Sequence, residues 1–178
     1  MKYFRKIEGE RVYLSPINKD DVNIYTKWMN DSSVTDGICQ TTKVFSIDAE
    51  KEYLEKIGVN DYQFAIVEKS SDTLMGNCSI FSIDSICGHG ELGIFIGEES
   101  FRSKGYGKEV IRLLLSFCFE TLNFASVELS AISFNERAVN CYKSAGFKEV
   151  GRKRKAHYAN GSYHDIVILD ILRDEFYK

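Results

Sequence analysis

The sequence predicts a mixed α/β fold, in which helices cover both faces of a central, mostly antiparallel sheet of about seven strands. Hydrophobic periodicity alternates between strand and helix patterns in the order β-α-α-β-β-β-α-β-α-β-β. One strand–helix–strand crossover in the middle of the chain indicates a local parallel pair with a right-handed connection. Hairpin signals on either side of that crossover predict antiparallel neighbours, and helices on both faces are the simplest way to bury such a sheet.

The N-terminal part of the chain reads as one strand followed by two helices. Residues 11–15 form an apolar strand that ends near Pro16, the only proline. Residues 18–30 have apolar side chains at helical spacing, and a second helix runs from Ser46, a good N-cap residue, to Gly58. The apolar stripes of these helices are formed by Val22, Tyr25, Trp28 and Met29 in the first and by Ala49, Tyr53, Leu54 and Ile57 in the second.

Three strands are predicted in the centre of the chain. Residues 62–67 and 73–83 flank a polar segment, residues 69–72, that is typical of a hairpin turn. A loop at residues 84–90 then leads into an apolar strand at Glu91–Gly97.

The C-terminal part completes the pattern with two helices and three strands. Gly146 follows the second of these helices and is the usual left-handed cap residue. Asn160 and Gly161 form the strongest short hairpin signal, between the last two strands. In chain order, the predicted elements are a helix at 105–121, a strand at 126–134, a helix at 136–145 and strands at 147–158 and 162–172.

Length and composition predict one domain spanning residues 1–178, with 44% apolar and 28% charged residues. A formal net charge of −3 disfavours a nucleic-acid partner, because nucleic-acid-binding domains are usually basic. No apolar run approaches the roughly 18 residues of a membrane helix, and the N-terminus does not resemble a signal peptide. We therefore expect neither a nucleic acid nor a membrane as a partner.

The chain has five cysteines, an odd number with scattered spacing and no C-x-x-C pair. This pattern argues against a disulfide framework and against a structural zinc site. We expect no metal site and a reducing, cytoplasmic location. The cysteines are Cys39, Cys78, Cys87, Cys118 and Cys141.

The most informative segment is the glycine-rich turn Arg102–Glu109, which lies between a predicted strand and a predicted helix. Gly105 and Gly107 lie where a helix begins, and free N–H groups with the positive end of the helix dipole bind anions there, most often a phosphate. The turn does not match the P-loop pattern G-x-x-x-x-G-K-[ST]. It also lacks the third glycine of the dinucleotide pattern G-x-G-x-x-G, where Val110 stands.

What remains is R-x-x-G-x-G at the start of a helix, formed by Arg102, Gly105 and Gly107. It resembles the pyrophosphate-binding motif [Q/R]-x-x-G-x-[G/A] of the GNAT N-acetyltransferase family. A second segment, residues 133–147, is similar to the N-x-x-A-x-x-x-Y-x-x-x-G-F segment of that family. Its matching positions are Asn135, Ala138, Tyr142, Gly146 and Phe147.

The resemblance covers essentially the whole chain in the right order. Residues 9–14, 28–31 and 158–165 look like the subgroup that contains the ribosomal-protein N-terminal acetyltransferases and the spermidine acetyltransferases. The family fold implies that the parallel strand pair splays apart at the cofactor site. The family reaction implies direct transfer of an acetyl group from acetyl-CoA to an amine acceptor, and the resemblance also allows a homodimer.

The resemblance assigns roles residue by residue. Tyr142 matches the general acid that protonates the leaving CoA thiolate, and Asn135 matches a contact to the pantetheine arm. Glu91, at the start of the fourth predicted strand, matches a carboxylate that acts on the amine, usually through water. The residues implied to bind acetyl-CoA are Ile94, Phe95 and Ile96 of the strand, Arg102, Ser103, Lys104, Gly105, Tyr106, Gly107 and Lys108 of the turn, and Asn135.

Simpler interpretations exist for each assignment. The turn could be a plain strand–helix joint, Tyr142 a core tyrosine, and Asn135 a helix cap that also faces the cofactor. A domain that binds acyl-CoA as a sensor or scaffold, without transfer, is the alternative function. The acceptor stays open among a protein N-terminus, a polyamine, an aminoglycoside and another small amine. Residues that could make an acceptor pocket acidic are Asp31, Asp36, Glu91 and Glu128.

Overall fold

The computed structural model describes residues 2–59 and 61–178, and its central feature is one sheet of eight strands. The strands lie in the order β1-β2-β3-β4-β5-β6-β8-β7 across the sheet. Their bounds are β1 Ile7–Glu8, β2 Val12–Pro16, β3 Tyr62–Glu68, β4 Thr73–Asp84, β5 His89–Ile96, β6 Ser126–Ile132, β7 Lys148–Ala159 and β8 Ser162–Leu172.

The helices fall in the N-terminal region, on either side of β6, and at the C-terminus. Their bounds are α1 Val22–Met29, α2 Ser32–Thr35, α3 Ile47–Lys56, α4 Tyr106–Ser116, α5 Glu136–Ser144 and α6 Arg173–Phe176. The helical path of α4 continues as a π-helical turn at Phe117–Thr121, which accounts for the predicted helix end at Thr121.

The predicted fold class is confirmed: the sheet is mixed and mostly antiparallel, with one parallel pair and helices on both faces. The elements that sequence reasoning missed are β1, α2 and α6, each of two to four residues. Elements this short contain only about one period of a helix or of a strand face, so hydrophobic spacing cannot reveal them.

Two apolar layers hold the sheet between its helices. On one face, α4 and α5 bury side chains such as Leu114 and Tyr142 against the strands. On the other face, α1 and α3 bury Trp28 and Leu54. The indole of Trp28 lies so close to Gly97 that a Cβ on Gly97 would come within 2.2 Å of the ring, so this glycine fixes how α1 approaches the end of β5.

The parallel pair is short, and this determines where a site can form. Strands β5 and β6 pair only from His89 opposite Ser126 to Glu91 opposite Glu128. Beyond that point β6 stays paired with β8 as far as Ile132, and β5 stays paired with β4 as far as Ile96. The two strands therefore part after Glu91, and the β5 edge from Leu92 onward loses its partner on the β6 side.

The five cysteines are free, as expected from their spacing. Over residues 2–59 and 61–178, no cluster of three or more His, Cys, Asp or Glu side chains could hold a metal ion. No helix in the described part of the chain is long and apolar enough to cross a membrane.

Candidate active site

The glycine-rich turn forms the entry to α4. Ser103 and Gly105 both adopt left-handed backbone conformations, with φ of 59° and 84°, and Gly105 is the N-cap residue. No acceptor within the described residues bonds the backbone N–H groups of residues 103–108. Lys104 and Lys108 are exposed here and form no ion pair with any described residue. Free N–H groups, two cations and a helix N-terminus together make a strong anion site.

The two glycines of the turn serve different purposes. Gly105 is needed for its left-handed backbone, which a Cβ would strain. A Cβ on Gly107 would meet only the Cys141 Sγ, at 3.7 Å, which is ordinary contact. No neighbouring side chain of the described residues fills the space beside the Gly107 backbone, so a ligand can approach the backbone closely there.

Arg11, which sequence reasoning did not single out, braces the turn from the position just before β2. Its Nε donates to Glu109 Oε2 at 3.0 Å, and its Nη1 donates to the Lys104 carbonyl at 3.1 Å. Its guanidinium also stacks over the Tyr106 ring, 4.5 Å from the centroid. Almost a hundred residues separate Arg11 from these partners, so no local spacing in the sequence could have revealed the contact.

The predicted role of Arg102 in binding the cofactor stays a prediction: the residue lines the cavity beside the turn, and in this structure its guanidinium contacts other parts of the protein. Its guanidinium turns back to the end of β5, where Nε and Nη2 donate to the Ile96 and Gly97 carbonyls, each at 2.9 Å. Its Nη1 donates to Ser33 Oγ at 3.0 Å. The strand ends here without a β6 partner, and its free carbonyls attract the guanidinium. Arg102 thus ties the turn to β5 and α2.

A cavity opens where β5 and β6 part and extends to the turn. Its walls include Ile94, Phe95 and Ile96 of β5, which were predicted to contact the cofactor. Gly107 and Asn135, also predicted, lie on the same cavity, as does Arg137, which was not predicted. We call this the donor cavity.

Tyr142 lies on the donor cavity, on the inner face of α5. The residue is only 8% exposed, and burial is the main reason why the pKa of its phenol is raised. Its hydroxyl forms no hydrogen bond with any described residue. The hydroxyl oxygen is not fully buried and keeps some contact with the cavity. A protonated phenol that borders a cavity can donate its proton to a group placed there.

Two neighbours of Tyr142 complete this wall. Asn135 caps α5, with its Oδ1 accepting from the Ala138 N–H at 3.2 Å, so it is both a cap and a cavity residue. Cys141 borders the same cavity, but burial raises the pKa of its thiol, against a smaller opposing effect of Lys108 and Arg137. A thiol held in its protonated form is a poor nucleophile.

A second, larger groove of about 550 Å³ lies on the other side of the β5–β6 opening, below α1 and α3. It shares lining residues with the donor cavity, so the two lie side by side. We call it the acceptor groove. The shared residues are Gly37, Ile38, Ile94, Phe95 and Tyr142.

The acids predicted for an acceptor pocket do not line this groove. Asp31 instead caps α2, its Oδ1 accepting from the Ser33 N–H at 2.9 Å, and Asp36 accepts from the Asn160 side chain. Glu91 and Glu128 face each other at the last paired position of β5 and β6, at the point where the strands part. Neither borders the two cavities, and the role of Glu91 as a base stays a prediction.

Glu50 is the carboxylate that does line the acceptor groove, and sequence reasoning missed it. It is 4% exposed, and burial raises the pKa of its carboxyl. A signal was present: Glu50 lies four residues before Leu54 and seven before Ile57, on the apolar stripe of α3. An acid at a stripe position is unusual, whereas Asp48 in the same first turn is exposed, as acids normally are there.

The geometry provides two converging chambers with different chemistry. The donor cavity begins at a cationic turn rich in free N–H groups and runs along an unpaired strand edge. The acceptor groove is largely apolar. A phenol hydroxyl lies where they adjoin, so a group carried in one chamber can be passed to a molecule held in the other.

Comparison with known proteins agrees with this geometry. Residues 11–148 match the family model described as acetyltransferase (GNAT) domain. The SPbeta prophage-derived uncharacterized N-acetyltransferase YokL of Bacillus subtilis (strain 168) is 26% identical over 170 residues, which cover 94% of this chain and 93% of that protein. The spermidine N(1)-acetyltransferase of Vibrio cholerae serotype O1 is 28% identical over 129 residues, which cover 72% of this chain and 74% of that protein.

A solved structure has a closely similar fold. The spermidine N-acetyltransferase from Vibrio cholerae in complex with CoA and spermine matches with a TM-score of 0.86 at 23% identity. The match covers 96% of this chain and 100% of that chain.

Proposed function

Because this chain belongs to the GNAT acetyltransferase family, we propose that it transfers an acetyl group from acetyl-CoA directly to a primary amine. The observation that carries the proposal is the meeting of the donor cavity and the acceptor groove at Tyr142. One sheet joins strands from both ends of the chain, and we take residues 1–178 as one catalytic domain.

The donor cavity fits acetyl-CoA by its chemistry. The free N–H groups of residues 103–108 would hold the pyrophosphate, with Lys104 and Lys108 supplying positive charge. The β5 edge at Ile94–Ile96 has no β6 partner, so its unpaired backbone groups are free to bond the pantetheine amides. CoA in the Vibrio cholerae structure supports the same donor here.

Arg102 and Arg11 hold the turn in place. Arg102, which also lines the donor cavity, anchors the turn to the end of β5 through two carbonyls, and Arg11 holds it from just before β2. The turn is thereby fixed before the donor arrives. A preformed set of N–H donors binds an anion without paying to order the loop.

Tyr142 would act as the general acid. When the amine attacks the acetyl carbonyl, the C–S bond breaks and the departing sulfur takes up a proton. Burial raises the pKa of this phenol and so keeps it protonated at neutral pH, and it would donate to the sulfur as negative charge develops there. An attacking amine with a pKa of about 10 must first lose its own proton, and Glu91 acting through water is the proposed route.

The proposal is tested by product analysis. The protein is incubated with acetyl-CoA and a panel of primary amines, and both the products and the intact protein are weighed by mass spectrometry. We expect an acetylated amine and a protein of unchanged mass, since direct transfer forms no acyl-enzyme. Tight acetyl-CoA binding without product from any amine would instead indicate a non-catalytic binding domain.

A further inference from the structure

We propose, resting on the acetyl transfer above, that Glu50 recognises the acceptor by pairing with its ammonium group, and that the acceptor is a singly charged amine with an apolar body. The inference concerns the chemical class of the acceptor, which family membership leaves open. It depends on the carboxylate that, among the described residues, lines the acceptor groove, and on the walls around it.

Glu50 is positioned for a ligand rather than for the fold. It is 4% exposed and lines the groove, and no described residue donates a hydrogen bond to its carboxylate or forms an ion pair with it. The carboxylate oxygens keep some exposure to the groove, but a carboxylate without a partner in so apolar a setting is unfavourable unless something compensates its charge. An ammonium group entering the groove would provide that compensation.

The remaining charges near the groove do not supply a partner. Lys43 lies on its rim and is exposed. Tyr53, one helical turn from Glu50, has its hydroxyl bonded to Gln63 Oε1 at 2.7 Å. Asp61, in a neighbouring depression, already accepts from the Gly58 N–H at 2.8 Å. Among the described residues, Glu50 is thus the one acid that lines the groove, and no ion pair occupies it.

The walls of the acceptor groove disfavour an acceptor that carries several positive charges. They are built mainly from apolar and aromatic side chains, and one carboxylate can neutralise one positive charge. Further ammonium groups of a polyamine would be desolvated against these walls without counter-charges, which is costly. An aryl or alkyl body would instead bury apolar surface. The principal apolar wall residues are Tyr25, Met29, Phe45, Leu54, Phe81 and Phe95.

The test measures equilibrium binding of amines to the CoA-loaded protein by calorimetry at pH 7.5, which does not require turnover. Two probes have almost the same shape: 2-phenylethylamine is charged at this pH and O-benzylhydroxylamine is not. Spermidine is the polycationic probe. The variants are Glu50→Gln, which keeps the side-chain shape, and Glu55→Gln, an exposed position on the same helix.

We expect Glu50→Gln to weaken binding of 2-phenylethylamine by about tenfold or more, since removing one partner of a buried charge pair is expensive. Binding of O-benzylhydroxylamine should not change, and Glu55→Gln should affect neither probe. Spermidine should bind the wild-type protein more weakly than 2-phenylethylamine.

Several results would overturn the inference. These are equal losses for the charged and uncharged probes, no loss for either, tighter binding of spermidine, or no binding of either aromatic probe to the wild-type protein. Failure of the proposed function would look different, because amines would still bind in a Glu50-dependent manner while no acetylated product formed.

Discussion

Tyr142 borders both cavities, and its hydroxyl has no partner among the described residues. Removing that hydroxyl should leave the donor site intact while slowing the loss of CoA thiolate. We expect Tyr142→Phe to lower kcat by about 100-fold, the lower range for loss of a general acid, with an unchanged Kd for acetyl-CoA. Steady-state kinetics and calorimetry measure the two quantities.

The matched control for this change is Tyr163→Phe, because Tyr163 is 65% exposed and borders neither cavity. It should leave both kcat and the Kd for acetyl-CoA unchanged. If Tyr142→Phe kept full turnover, Tyr142 would have no part in the chemistry and would be a core residue.

Glu50 should also affect stability in a pH-dependent way. Burial raises the pKa of its carboxyl in the folded state, so the folded protein holds this proton more tightly than the unfolded chain. The stability that this proton contributes is complete below the ordinary carboxyl pKa of about 4.3 and is lost as pH rises through the raised folded value. Above that window the buried negative charge opposes folding.

Replacing Glu50 with Gln removes the charge and keeps the shape. We therefore expect Glu50→Gln to have a higher Tm than the wild-type protein at pH 8 and the same Tm at pH 4. Thermal melts at both pH values measure the difference, with Glu55→Gln as the exposed control. A lower Tm for Glu50→Gln at pH 8 would contradict this, because it would show that the charged Glu50 carboxylate stabilises the fold through a favourable interaction.

At the residue scale, sequence allows a prediction where chemistry leaves a local pattern. The spacing of Gly105 and Gly107, and of Asn135 and Tyr142, can be read within one turn and one helix. The roles of Arg11 and Arg102 could not be read, because each depends on contacts that only the folded chain brings together.

At the scale of elements, the two glycines of the turn before α4 differ in why they are there. Gly105 is required by its backbone conformation, whereas Gly107 leaves space beside the backbone for a ligand. Gly105 has φ of 84°, so Gly105→Ala should cost about 1–2 kcal/mol of strain and lower the Tm by about 2–8 °C. Gly107→Ala serves as the matched control and should not lower the Tm, because its Cβ meets only the Cys141 Sγ at 3.7 Å. Differential scanning calorimetry of both variants tests this, and equal losses would contradict it.

Long, strongly periodic elements were predicted with nearly correct ends. The strand predicted to begin at Glu91 begins at His89, and the closing hairpin turns at Asn160 and Gly161 as expected. The parting of β5 and β6 could not come from periodicity, because both strands continue with apolar residues beyond the last paired position. It was implied only by the family resemblance.

At the scale of the whole molecule, donor binding should be visible as a gain in stability. Acetyl-CoA at 100 times its Kd stabilises the folded state by about 2.7 kcal/mol, which for a chain of this size raises the Tm by about 5–10 °C. The shift should shrink as salt increases, because Lys104 and Lys108 are exposed and their attraction to phosphate is screened.

The double change Lys104→Ala with Lys108→Ala should reduce both the Tm shift and its dependence on salt. Lys19→Ala, at an exposed lysine near the N-terminus, should change neither. Thermal melts with and without acetyl-CoA at low and high salt measure these effects. A salt-independent shift would contradict a phosphate site at the turn.

The central claim is that the two chambers meet to pass an acetyl group from acetyl-CoA to an amine. The most direct measurement is the release of CoA thiol from acetyl-CoA, followed with a thiol reagent in the presence and absence of a singly charged, apolar primary amine. We predict thiol release that depends on the amine, saturates with its concentration and falls by about 100-fold in Tyr142→Phe. The contradictory result is a protein that binds acetyl-CoA but releases no thiol with any primary amine.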